Sequence, residues 1–267
     1  MTYDEFLRYK FLLSIFQTTL DSLEHLNEVL PKLYLQYFES EIEKLEKNEN
    51  VSKVEFQTLN EIMRLVKKKD YVNLQNKMEQ LSEVSLGFLK ETVLIYKKKL
   101  TAEAFLRLMS ITFLITVFED FLKKTLKLVF FYKRESLKSE KFLTYETIID
   151  LKTYDKIIEN MIENKAKTII EKDISDLGKT LANDFGFNLI DDNDWKKFTE
   201  VFYRRHVIVH NNSEPDEEYR LKTGDRTITD LLPTEDYIKQ TLVLFKQYSN
   251  KISEFFSNKY PETSMVS

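Results

Sequence analysis

Hydrophobic positions along this chain recur every three or four residues, the spacing of a helix buried along one face. Between 3 and 30 the run is Phe6, Tyr9, Leu12, Ile15, Phe16, Leu20, Leu23 and Leu26, and Pro31 then ends that helix or opens the next at its first position. Tyr34, Phe38, Ile42 and Leu45 continue the pattern to a turn at Asn48-Glu49-Asn50. Ser52-Lys53-Val54-Glu55 has the form of a capping box, with Phe56, Leu59, Met63 and Val66 behind it. Past a lysine run at 67–69, residues 71–100 read as another amphipathic helix.

Thr101 is the expected N-cap of the most apolar helix, 102–132. There Phe105, Met109, Phe113, Leu114, Val117, Phe118, Phe121 and Leu122 cover more than one face, which predicts a central, buried helix. Residues 133–151 are polar and irregular. Helices are predicted from Thr153 to Lys172 and from Ile174 to Phe185, the second stopped at Gly186. Asp191–Asp194 offers caps for a helix starting at Trp195, and Asn211 and Asn212 suit its C-terminus because asparagine tolerates a left-handed backbone. An acidic, irregular stretch follows, then a last helix over 235–257 with Glu235 and Asp236 in its first turn, where the helix dipole favours them. The tail beyond Tyr260 is expected to be loose.

Composition narrows this to an all-α chain, since 4 Gly and 4 Pro in 267 residues leave too few breaks for a turn-rich β architecture. A net charge of −4 gives no global basic field, so any nucleic acid must be met by a local patch. With no cysteine, thiolate metal sites, disulfides and cysteine nucleophiles are excluded. No basic leader and no apolar run of membrane-spanning length is present, which predicts a soluble cytoplasmic protein without membrane contact. Asn211-Asn212-Ser213 fits the glycosylation pattern by coincidence in such a protein.

Chemistry concentrates in Tyr203–Ser213, which reads Tyr-Arg-Arg-His-Val-Ile-Val-His-Asn-Asn-Ser and holds two of the three histidines. Projected at 100° per residue, Phe198, Val201, Phe202 and Val209 share a stripe with Arg205 in its middle, while Tyr203, His206 and His210 cluster on an adjacent face. An arginine in a buried stripe needs a carboxylate, a phosphate or a partner subunit, because it cannot shed its proton. The ordinary reading is a structural ion pair, and Glu119 or Asp120 in the apolar helix is the internal partner, Glu119 being the expected buried one. Histidines one turn away add a titratable acid or base beside that fork. His25, alone on the first helix, reads as an ordinary surface or half-buried residue.

Arg205-His206-Val207-Ile208-Val209-His210, an arginine followed after four residues by histidine with a polar residue directly after the arginine, resembles the signature of the HEPN superfamily of helical ribonucleases and toxins. The flanks extend the likeness. Phe118-Glu119-Asp120-Phe121 resembles the superfamily's early core helix with its acidic residue, and Asp194-Trp195 through His210-Asn211 resembles the helix entering the motif. Tyr219, Thr223-Gly224 and Leu232-Pro233 through Tyr237 resemble the tail of stand-alone members from prokaryotic defence and toxin systems; Ser213 departs from the pattern, where many relatives carry glycine. The resemblance implies an up-and-down helical bundle of HEPN type over 101–260, with 1–100 as an N-terminal helical extension and 261–267 as a flexible tail.

It further implies a metal-independent endoribonuclease without cofactor, acting as a toxin or in anti-phage defence, with RNA as substrate and an antitoxin or defence-system protein as a candidate partner. Metal-free RNA cleavage requires a base for the 2′-hydroxyl, a fixed positive charge for the phosphorane and an acid for the leaving 5′-oxygen. His210 is the expected acid or base, an imidazole ordinarily titrating at about pH 6.5, and Arg205 the phosphate fork. Five residues apart, they diverge by about 140° around one helix. The resemblance resolves this through a homodimer whose motif helices lie side by side in a composite cleft. His206 is expected to orient Arg205 or the phosphate, Asn211 to position substrate or cap the helix, and Tyr203 to stack a base or serve an interface. Two other readings stay open: a zinc site at His206 and His210, which lacks the glutamate of the His-Glu-x-x-His pattern and an evident third ligand, and a non-catalytic RNA-binding or regulatory helical dimer.

Overall fold

A computed structural model describes residues 6–47, 54, 57–58, 61–62, 64–65, 71–78, 83–137 and 143–260. Among them every regular element is helical: α1 Phe6–Glu46, α2 Tyr71–Met78, α3 Glu83–Tyr132, a 3-10 turn at Arg134–Leu137, α4 Tyr145–Leu151, α5 Tyr154–Ile170, α6 Ile174–Phe185, α7 Trp195–His210, α8 Glu217–Thr223 and α9 Glu235–Lys259. None is long and apolar enough to cross a membrane. Ser52, Lys53 and Glu55 of the capping box, Phe56, Leu59, Met63 and Val66 behind it, and the tail beyond Tyr260 lie outside the described residues.

Two expected breaks are absent. Pro31 lies inside α1, where its missing N–H leaves one gap in the hydrogen-bond ladder rather than a helix end. Thr101 caps nothing: α3 begins at Glu83, and the Thr101 hydroxyl donates to the Lys97 carbonyl at 2.9 Å within the helix. Two helices also form where irregular chain was expected. Thr144 accepts the Thr147 N–H to start α4, and Asp216 accepts the Tyr219 N–H at 2.8 Å to start α8, which Gly224 ends at φ 74°. A helix of about two turns is fixed by its caps, not by periodicity, so these escape a hydrophobic pattern.

The chain forms two compact units, one comprising residues up to His25 together with those from Arg107 onward, the other Leu26–Leu106. The divisions therefore fall inside helices, between His25 and Leu26 in α1 and between Leu106 and Arg107 in α3. In the second unit Ile62 and Leu89 are buried and Lys77 pairs with Glu61 at 2.6 Å.

The first unit is built around α3. Ile111, Leu114, Ile115, Phe118, Phe121, Leu122, Leu126, Val129 and Phe130 are all buried, on more than one face as their spacing requires. Phe118 is the hub, its ring 5.1 Å from Phe245, 5.3 Å from Phe198 and 6.0 Å from Phe16. Within this unit the stretch of α1 up to His25 runs antiparallel to the stretch of α3 from Arg107, pairing Tyr9 with Tyr132 and Phe16 with Phe121, whereas α9 runs parallel to it, from Phe245 at Phe118 to Tyr260 near Lys133. At roughly 1.5–3 kcal/mol per fully buried large side chain, this aromatic layer holds α7 against α3 and α9.

Candidate functional site

α7 is anchored at both ends. At its start Trp195 lies so close to α6 that a Cβ on Gly178 would come within 2.6 Å of the indole, a contact only glycine permits. Asp194 makes no capping bond; its carboxylate takes Lys197 at 2.8 Å, and Asp192 accepts the Asp194 N–H while its other oxygen pairs with Lys251 of α9. At its end Asn212 and Ser213 both enter the left-handed region, at φ 50° and 68°. The Leu231 N–H donates to the Ser213 carbonyl at 3.1 Å, and the Asn211 amide donates to Asp216, which starts α8. Asn211 thus ties the helix exit to the next helix, and Ser213 adopts the backbone that glycine prefers.

The arginine predicted in the buried stripe is not the one most deeply buried. Arg204 is 8% exposed and well partnered: its Nε donates to Glu200 at 2.8 Å, its Nη1 donates to the Leu231 carbonyl at 3.1 Å, and its guanidinium lies 4.1 Å over the Tyr237 ring. Glu200 is saturated in turn by the hydroxyls of Tyr219 and Tyr237, at 2.5 and 2.6 Å. Burial works against the Arg204 charge, but Tyr237, Glu200 and Tyr219 outweigh it and hold the guanidinium above its usual range; burial foremost, then Glu200, pushes both tyrosine hydroxyls up. Val207 packs here with Tyr219 and Leu231, whereas Val209 is 48% exposed. The helix is buried on two sides, against the phenylalanine core and against α8, and a projection led by phenylalanines registers only the first. Glu200 and Arg204 stand at i, i+4, a spacing that marks such a pair in sequence.

Arg205, half-buried, faces α3. Its Nε is shut off from solvent without a hydrogen-bond partner, and its charge acts on Glu119. Burial raises the Glu119 carboxyl above the usual range and Arg205 pulls it back. Asp120 is exposed and paired to Lys124 at 2.7 Å. His206 and His210 are both exposed, their ring centres 4.6 Å apart. Tyr203 is occupied: its hydroxyl shares a 2.6 Å hydrogen bond with Ser175, and the Lys222 ammonium sits 4.8 Å over its ring. Among the described residues no group of three or more His, Asp or Glu side chains is placed to hold a metal ion.

The site residues expected from sequence thus share one helix and its exit. The ion pair expected between Arg205 and Glu119 is not formed: Arg205 acts on the Glu119 carboxylate of α3 through its charge alone, while His206 and His210 lie open on another side. Compared with family models, with curated proteins and with solved structures, the chain matches none.

Proposed function

We propose that this protein is a metal-independent endoribonuclease of HEPN type, working as a homodimer in prokaryotic defence or as a toxin. His210 serves as acid or base, and Arg205 holds the phosphate. The observation that carries this reading is the division of labour between adjacent arginines. Arg204 satisfies the fold's demand for an ion pair, which leaves Arg205 free of that task on the helix that also carries two exposed imidazoles. Arg205 and His210 diverge on the helix, so a scissile phosphate reached by both needs the same helix of a second copy. His206, beside His210, orients the phosphate, and the Glu119 carboxylate acts on Arg205 through its charge.

The test is incubation of purified protein with RNA in the presence of a chelator. Products ending in 2′,3′-cyclic phosphate and 5′-hydroxyl, absent for His210→Ala at unchanged circular dichroism, are expected. Equal cleavage by His210→Ala would refute the assignment.

A further inference from the structure

Helix α3 is unbroken from Glu83 to Tyr132, and one line along it stays open to solvent. Lys98, Phe105, Met109, Phe113, Thr116 and Asp120 follow that line at steps of three, four or seven residues, and all are exposed. Phe105 is 60% exposed, Met109 47% and Phe113 46%. Single exposed apolar side chains are ordinary, but three in succession on one helix face mark a contact surface.

The order of these residues says what the contact is with. Outward from Met109 the line is alike in shape and opposite in charge. Phe105 stands four residues before it and Phe113 four after; Lys98 stands eleven before and Asp120 eleven after. A second α3 laid antiparallel across Met109 sets Met109 against its own counterpart, Phe105 against the second copy's Phe113, and Lys98 against the second copy's Asp120. An isologous interface makes each of these matches twice. Lys98 and Asp120 are about 33 Å apart at 1.5 Å per residue, three heptads of a two-helix pair. Asp120 already meets Lys124 on its own helix, but that pair is exposed and yields at little cost. We infer that two copies of this chain pair through α3, antiparallel across a two-fold axis at Met109.

The axis falls beside the motif. α7 runs antiparallel to α9, with Trp195 by Tyr248 and Arg204 over Tyr237, and so antiparallel to the stretch of α3 that α9 follows. Phe202 packs on Phe118 at 6.1 Å. Eight residues further, about 12 Å, His210 comes level with Ser110, next to Met109. The exits of both α7 helices thus meet the axis from either side, as a composite cleavage site requires. That consequence rests on the ribonuclease reading; the pairing stands without it.

Because the chain has no cysteine, single cysteines report the contact without background. Facing Cα atoms on helices about 8–10 Å apart lie within disulfide reach. Sedimentation velocity at about 10 μM should show a dimer. Mild oxidation should link Met109→Cys into a covalent dimer, but not Ile149→Cys, which is more exposed and lies on α4. Lys98→Glu and Asp120→Lys should each weaken the dimer at least about tenfold, since like charges then meet twice, and the double exchange should restore it. A monomer at that concentration, its exposed line then serving a different protein, would overturn the pairing. So would Met109→Cys linking no better than Ile149→Cys, or charge reversal without effect or without rescue. A dimer that passes these tests and cleaves no RNA would remove the ribonuclease reading and support the pairing; cleavage by a monomer would do the opposite.

Discussion

Arg204 and Arg205 are neighbours in sequence and opposites in environment. A step of 100° around α7 carries the chain from a dry face, where Glu200, Tyr219, Tyr237 and the Leu231 carbonyl satisfy Arg204, to a half-buried face where the Arg205 Nε has no partner. The first is a structural ion pair, hydrogen-bonded to Glu200 and to the Leu231 carbonyl. The second sits with a desolvated Glu119 on one side and exposed imidazoles further round the helix. The difference teaches that a charged residue inside a helix is read by what completes its hydrogen bonds, since two arginines one residue apart give opposite answers.

The sharpest test of that contrast exchanges the arginines' fates. Arg205→Ala and His210→Ala should each lower RNA cleavage by about 10²–10⁴-fold while leaving the melting temperature nearly unchanged. Mixing the two inactive variants should restore part of the activity, because a heterodimer keeps one intact composite site; no recovery under subunit exchange would argue for a site within one chain. Arg204→Ala is expected to do the reverse. Removing one member of a buried pair strands Glu200, at a cost of roughly 3–5 kcal/mol, read as a lowered midpoint in chemical denaturation. A variant at Arg204 that folds normally but no longer cleaves would break the comparison outright.

Periodicity carried much of the fold. The central apolar helix, the helices over α5 and α6, the Gly186 stop, α7 and the last helix are all legible as 3.6-residue patterns, because each buries a continuous face. The merger of 83–132 into one helix was not, since Thr101 looks like a cap but its hydroxyl bonds back to the Lys97 carbonyl within the helix. The short helices α4 and α8 rest on single capping residues. At the site, sequence brought forward Glu119 over Asp120 as the carboxylate away from solvent, and Arg205 as the arginine facing α3. It missed the Glu200–Arg204–Tyr219–Tyr237 network because Tyr219 and Tyr237 are distant in sequence and only the fold assembles them.

A smaller effect probes that network from its far side. Tyr237→Phe keeps the ring under Arg204 and removes only the hydroxyl donated to Glu200, leaving one carboxylate oxygen short of a partner. A loss of about 1–3 kcal/mol is expected, and cleavage should survive it. An equal loss of cleavage would mean the dry face serves the chemistry too.

The smallest expected effect concerns the edge between the two faces. Asp173, the N-cap of α6, accepts the Ser175 N–H at 3.0 Å and the Lys222 ammonium at 2.8 Å, and Lys222 in turn covers Tyr203. Burial opposes the Asp173 charge, but the Lys222 and Ser175 hydrogen bonds prevail and hold its carboxyl below the ordinary 3.8. A depressed carboxylate stabilises the folded state above its unfolded pKa, and that contribution fades as pH falls through 3.8 toward the lower folded value. The carboxylate is more than a third exposed, so solvent screening keeps the effect small. Asp173→Asn retains a capping oxygen and loses the ion pair. Its melting temperature should therefore sit slightly below the parent's at neutral pH and converge on it in acid. A constant offset across that range would assign the stability to the cap alone and leave the Lys222 bridge without an energetic role.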